Sequence, residues 1–279
     1  MKVRMIIDST TDVTPEHLEP LTVVPLTIRF GDQEYVHGKD ITNTEFYEKL
    51  VSSDVLPTTS QPTPAAFEDV FREAVEAGED VVCVTISAKL SGTYQSASIA
   101  ASEFPGRVFV VDSNTVTIGA GILVQYGLQL IAQGKTAEEV AKELEIQKEK
   151  VRLIATLDTL EYLKKGGRIS KTVAFAGELL SIKPMICVTE GEVKMLGTAR
   201  GNKQGNNLIN KEIDKSGVDL SRPVVLGYTG TTDELLQKYI AQSADYWAQK
   251  GVNPPTSIVG SVVGTHAGPG AVAVTYFVK

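Results

Sequence analysis

The sequence predicts an α/β protein of two domains: a mostly parallel sheet domain over residues 1–150 and an α+β domain over residues 151–279. Three observations carry this. Strand and helix signals alternate through the first half, the pattern of βαβ units. The run Val81-Val82-Cys83-Val84 is apolar without a break, as a strand buried on both faces requires. In the second half hairpin signals mix with helices, and 279 residues at ~150 per domain suit two domains.

In chain order, residues 3–7 predict the first strand. Thr63 and Pro64 open a helix with Phe67, Val70, Phe71, Ala74 and Val75 on one face, and Gly78 ends it. Residues 81–86 form the second strand. A helix from about Gly92, a strand over 107–111 and a longer helix over 117–133 follow. Thr136 and Glu139 make a capping box for the next helix, which turns Val140, Leu144 and Val151 inward. Beyond residue 150 the sequence predicts a strand over 151–155, a helix over 158–165 ended by Gly166, and a helix over 171–180. A hairpin follows, 184–188 against 192–196, turning at Glu190-Gly191. A strand over 223–228, a helix over 232–249, and strands over 257–263 and 271–278 around a glycine-rich loop complete the chain.

Composition is that of a globular protein, 42% hydrophobic and 22% charged, with net charge −7. That balance favours neither nucleic acid nor an anionic membrane surface as partner. The two cysteines, Cys83 and Cys187, sit in apolar runs and read as buried thiols in a reducing compartment. The N-terminal apolar run is too short for a signal-peptide core, and residues 115–132 are too polar and glycine-rich for a membrane span, so a cytoplasmic protein is expected. No phosphate-binding Walker loop, no nucleophile elbow and no metal-ligand spacing occurs, and the G-x-G patterns at Gly119 and Gly268 lack the context of a dinucleotide site.

Ligands of open α/β sheets sit at the carboxyl ends of strands. Three such ends carry small polar residues: Asp8-Ser9-Thr10-Thr11-Asp12, Ser87-Ala88-Lys89-Leu90-Ser91-Gly92-Thr93 and Asp112-Ser113-Asn114. Helix capping accounts for each one singly; three at one edge also fit a polar cleft. Ser91-Gly92-Thr93 offers backbone N–H groups at a helix start, a place that suits an anion. Thr58-Thr59-Ser60-Gln61, between Pro57 and Pro62, packs hydroxyls and an amide into an extended stretch. His266 lies in Gly264-Thr265-His266-Ala267-Gly268-Pro269-Gly270 and can donate to a carboxylate. His17 and His37 read as surface residues. Lys164-Lys165-Gly166-Gly167-Arg168-Ile169-Ser170-Lys171 is a basic loop; Arg168 and Arg200 are candidates to meet a phosphate or a carboxylate, against the alternative of a solvated surface.

These motifs, in this order along nearly the whole chain, resemble those of the DegV family. The Asp8–Asp12 stretch, Thr58-Thr59-Ser60-Gln61-Pro62, Leu90-Ser91-Gly92-Thr93, the Lys164–Ile169 stretch and Gly264–Gly270 carry the resemblance. It implies a two-domain DegV-like fold with one long-chain fatty acid in a buried tunnel in the cleft between the domains. It also implies that the chain is the lipid-binding subunit of a bacterial fatty acid kinase, without catalysis of its own. A separate ATP-binding kinase subunit then makes an acyl phosphate for phospholipid synthesis. By the same resemblance Thr58, Thr59, Ser60, Ser91, Gly92 and His266 surround the carboxylate, Arg168 and Arg200 face the kinase, no metal or further cofactor is used, and a transient membrane contact is compatible. The chain departs from the family pattern at Ser87-Ala88, where paired serines are common, and at Gly201-Asn202-Lys203, where the basic stretch is thinner. Two other readings compete: a serine-type acyl hydrolase with Ser91 as nucleophile and His266 as base, and a scaffold that docks through residues 164–171.

Overall fold

The computed structural model describes residues 2–170 and 182–279; the helix expected over 171–180 lies outside the described residues. The first part of the chain runs β1 (Val3–Asp8), β2 (Leu21–Val24), β3 (Thr27–Phe30), β4 (Gln33–Val36), α1 (Asn43–Ser52) and β5 (Thr58–Ser60). Next come α2 (Pro64–Glu76), β6 (Asp80–Thr85), α3 (Thr93–Ala101), β7 (Val108–Asp112), α4 (Ile118–Ala132) and α5 (Ala137–Gln147). Then follow β8 (Val151–Thr156), α6 (Glu161–Lys165), β9 (Ile182–Thr189), β10 (Glu192–Arg200) and α7 (Gly201–Ser216). The last part comprises β11 (Val225–Tyr228), α8 (Glu234–Gln242), α9 (Ala244–Lys250), β12 (Thr256–Ile258), α10 (Ser261–Ala267) and β13 (Val272–Phe277).

Strands β2-β1-β6-β7 form a parallel sheet. Side chains alternate across a strand, so its uninterrupted apolar runs serve two cores. Met5, Ile7, Val82 and Val84 meet α4 and α5, whereas Ile6, Val81 and Cys83 meet Phe67 and Phe71 of α2 and Ala97 of α3. A second sheet, ordered β10-β9-β8-β13-β11-β12, is antiparallel except at β11–β12. One face of it packs Ile154, Val274 and Tyr276 on α7, α8 and α9, through Ile209, Leu236, Tyr239 and Trp247. The other face, with Leu153, Ala155 and Ala273, joins the core that α4 shares with the parallel sheet.

Helix α4 lies between the two sheets and is buried from Ile118 through Gln125 without a break. A helix apolar all round must be covered all round, and both sheets contribute to that cover. Arg222, from the second half, fits its guanidinium between Tyr126 of α4 (4.5 Å) and Phe277 of β13 (5.0 Å). A third, small antiparallel sheet, β4-β3-β5, joins α1 and α10 around Phe46, Tyr47, Ile28 and Val262. Its strands and α1 have no counterpart among the predicted elements.

The hairpin forms as predicted: β9 and β10 join through Glu190 (φ 52°) and Gly191 (φ 77°), the pair of left-handed residues a type I′ turn needs. Three expectations are corrected. The helix over 232–249 breaks at Ser243, whose hydroxyl accepts the Asn210 side-chain amide (3.0 Å). The strand over 257–263 shrinks to β12, and residues of the expected glycine-rich loop form α10. There the Gly260 N–H goes to the Asp12 carboxyl (3.0 Å) rather than to a strand, and Gly260 O takes the first helical bond from Gly264 N (2.8 Å). Cys187 is only partly buried, because its place on β9 is opposite Lys194 near the sheet edge; Cys83 is fully buried.

Candidate functional site

Between the two larger sheets lies a cavity of about 860 Å³ of empty space, part of it open to solvent. The period-2 alternation of strands brings Leu153 and Ala155 of β8, Ile186 and Val188 of β9 and Ala273 of β13 to its floor. Val262, Val263 and His266 of α10, with Leu26, Ile86 and Val116, complete the wall. Thr10 and Thr117 also line it, yet Thr10 donates its hydroxyl to Asp8 and Thr117 to Asp12 (2.5 Å), so neither offers a donor to the cavity. The wall is therefore apolar over most of its length.

One end is polar. There Thr59, Ser91, Arg168 and His266 meet on the cavity. Thr59 sits on β5, paired with Ile28 of β3, and its hydroxyl is 2.9 Å from His266 Nε2. Alternation sends its neighbours the other way: Thr58 and Ser60 are exposed, and Thr58 lines an outer depression shared with Lys165, Arg168 and His266. Ser91 follows the tight turn in which Leu90 and Ser91 N–H groups both reach Ser87 O (2.9 and 3.1 Å). Its hydroxyl lies 2.9 Å from Thr93 Oγ1. Gly92, just before α3, lies under the Gln61 amide: a Cβ would stand 2.2 Å from Gln61 Oε1, so any side chain there displaces that amide. Gln61 in turn donates to Ser96 (3.0 Å), which joins the segment after Pro57 to the start of α3.

His266 is held neutral. Burial and the nearby Arg168 guanidinium push its pKa down to about 4. Its Nδ1 is buried, has no hydrogen-bond partner among the described residues, and rests against Gly166, where a Cβ would stand 2.2 Å away. Tyr162 fills the matching space over Gly268. The loop after α6 and the loop after α10 thus interlock, each glycine receiving the other's ring. Arg168 donates from Nε to Leu90 O (3.2 Å) and from a terminal nitrogen to Gly166 O (2.6 Å), so it stands half-buried at the mouth.

Of the residues singled out in the sequence, Thr59, Ser91, His266 and Arg168 converge; Gly92 supports the turn behind them; Thr58 and Ser60 face outward. Arg200 is exposed where β10 meets α7 and is not on the cavity. Lys171 lies outside the described residues. Ser87 is taken up by the β9–β10 turn, donating to Gly191 O (2.8 Å). Ser91 Oγ and His266 do not bond to each other, and among the described residues no acid orients His266. Sequence reasoning missed the contributions of Leu26, Thr117 and Val262. Among the described residues no cluster of metal-ligating side chains forms, and no helix is long and apolar enough to cross a membrane.

Two sheets enclosing an apolar cavity that, among the described residues, has one polar end define the class of this protein: one built around an interior cavity. The family comparison is more specific. The model described as an uncharacterised protein of the DegV family matches residues 2–279, and the chain belongs to the DegV family. It is 35% identical over 280 residues to a DegV domain-containing protein of Deinococcus radiodurans, covering 98% of each chain. Among solved structures it resembles a DegV family protein of Thermus thermophilus described as fatty acid binding, with 34% identity, all of both chains covered and a TM-score of 0.88. It also resembles a stearic acid-binding protein of Eubacterium ventriosum, with 29% identity, 99% of this chain and 98% of that one covered, and a TM-score of 0.86.

Proposed function

We propose that the chain binds one long-chain fatty acid, tail in the cavity and carboxylate at Thr59, Ser91 and His266, and presents it to an ATP-dependent kinase subunit for acyl-phosphate formation. The observation that carries this is the pairing of a long apolar wall with one polar end. Burying a tail of ~15 methylenes gains roughly 12 kcal/mol before association and ordering costs, at ~0.8 kcal/mol per methylene. A carboxylate left unpaired in such a site would cancel much of the gain. Hydroxyls of Thr59 and Ser91 and the neighbouring Arg168 can pair it without a buried lysine. The relatives described as binding fatty acids support the same reading.

The outer depression beside Thr58, Lys165 and Arg168 gives a phosphoryl donor a route to the carboxylate, with cations to meet its charge. In this reading the chain itself performs no chemistry, and Arg168 and Arg200 face the kinase. The hydrolase alternative lacks a nucleophile–base bond, since Ser91 pairs with Thr93 and His266 with Thr59. The test is native and then denaturing mass spectrometry of protein purified from bacterial cells. We expect an excess mass of one fatty acid that denaturation releases. Protein that carries no lipid and takes up neither palmitate nor oleate overturns the proposal.

A further inference from the structure

Ser87 follows β6 by two residues, is fully buried and does not line the cavity, yet every polar atom it has is engaged. Its N–H donates to Thr115 O (2.9 Å), which fixes it to the segment after β7. Its carbonyl accepts the N–H groups of Leu90 and Ser91 and so closes the tight turn that presents Ser91. Its hydroxyl accepts the Lys89 N–H (3.2 Å) and donates to Gly191 O (2.8 Å), at the tip of the β9–β10 hairpin. One side chain thus ties a turn of the first half of the chain to a hairpin of the second.

The joint is close-packed. Gly191 holds φ at 77°, and a Cβ there would stand 2.5 Å from Ser87 Oγ and 2.6 Å from Asn114 Oδ1. Gly191 is itself buried, which raises the cost of leaving its carbonyl without a donor. Lys89 and Glu192 also face each other across the joint, at 3.9 Å, but both side chains are half exposed, so water screens the pair and it adds little. Both sides of the joint lead to the cavity. Ile186 and Val188 of β9 and Val193 of β10 line its apolar wall, and Ser91 lines its polar end. The turn is also held at the mouth, where Arg168 donates to Leu90 O (3.2 Å).

We propose that Ser87 is a positioning residue for the polar end: by setting the turn of residues 87–91 against the hairpin tip, it fixes where Ser91 and Arg168 meet the carboxylate. This rests on the fatty-acid reading above. A hydrogen bond is directional and weakens steeply as its angle is lost, so a small shift of the turn is felt at the head group. The tail makes many weak, undirected contacts, and the same shift disturbs few of them. Loosening the joint therefore weakens the hold on the head group more than the hold on the tail.

The experiment compares wild type with Ser87→Ala and with Gly191→Ala, which disturbs the joint from the opposite side. Affinities for palmitate and for hexadecanol, which has the same number of carbons but no carboxylate, are measured by competition against a fluorescent fatty acid, with thermal melts to show that each variant is folded. Hydrogen exchange of the Leu90 and Ser91 amides is followed on the unloaded proteins. We expect both variants to bind palmitate about tenfold more weakly. Hexadecanol, whose neutral hydroxyl makes weaker bonds to the same groups, should lose about threefold at most. The two amides should exchange faster in Ser87→Ala. Equal weakening of the two ligands in folded variants, unchanged palmitate affinity, or unchanged exchange at Leu90 and Ser91 overturns the proposal. If wild type takes up neither ligand, the fatty-acid reading falls, and the exchange at Leu90 and Ser91 alone decides whether Ser87 sets the turn.

Discussion

Ala273 of β13 and Ala155 of β8 are direct partners across the sheet, and both face the cavity. The smallness of this pair leaves the floor open. An Ala273→Leu substitution adds three carbons there and displaces about three methylenes of a bound tail. At ~0.8 kcal/mol each the loss is about 2.4 kcal/mol, which is roughly fiftyfold in affinity. The expected result is length-selective. Palmitate and stearate weaken about fiftyfold, whereas decanoate, which need not reach the obstruction, changes little. The assay is competition against a fluorescent fatty acid, run beside thermal melts to show that the fold persists. Equal weakening of decanoate and palmitate in a well-folded variant would refute the reasoning, as would unchanged binding of all three acids.

Gly166→Ala, in a helical conformation alanine can adopt, drives a methyl against His266 Nδ1. Affinity for palmitate should fall roughly tenfold, the ~1–3 kcal/mol scale of a disturbed buried polar contact, with little change in melting temperature; calorimetric titration checks both. Arg222→Ala removes a guanidinium held between two rings and should cost about 1–2 kcal/mol in urea unfolding without altering ligand binding. His266 has its pKa depressed to about 4, so the unfolded chain binds the extra proton first as pH falls below about 6.5. Its contribution, roughly 3 kcal/mol, is present above that value and lost as pH falls to 4; His266→Gln should flatten this part of the pH–stability curve, measured by denaturant titration.

Much of the parallel sheet was legible because its signals are local. The unbroken run in β6, the Thr63-Pro64 start of α2 and the capping box at Thr136 and Glu139 each act within a few residues. The same capping-box signature, Thr42 with Glu45, marks α1, so that helix was within reach of the sequence. Helix α10 was not. Gly264 and the β-branched Val262, Val263 and Thr265 argue against a helix. What overrides them comes from far along the chain: Asp12 accepts the Gly260 N–H, Asn43 accepts the Ser261 N–H and Tyr47 donates its hydroxyl to Val259 O. The site divides in the same way. Thr59, Ser91 and His266 stood out by residue type and motif, but the bond between Thr59 and His266 spans 207 positions. Which of Thr58, Thr59 and Ser60 faces inward depends on pairing with β3, a strand that local signals did not reveal.

Helix α4 emerges from the ribosome well before the sheet that covers one side of it. Its neighbours in β1 and β6 are already made, but β8, β11 and β13 follow later, the last of them ending at Phe277. At ~5–20 residues per second the gap lasts on the order of ten seconds. Throughout that time a helix whose first two turns, Ile118–Val124, are apolar on every side is only half covered. A nascent chain of this kind is a natural client for a holding chaperone. A truncated chain that ends after α5 should accumulate in inclusion bodies even though its own parallel sheet is complete.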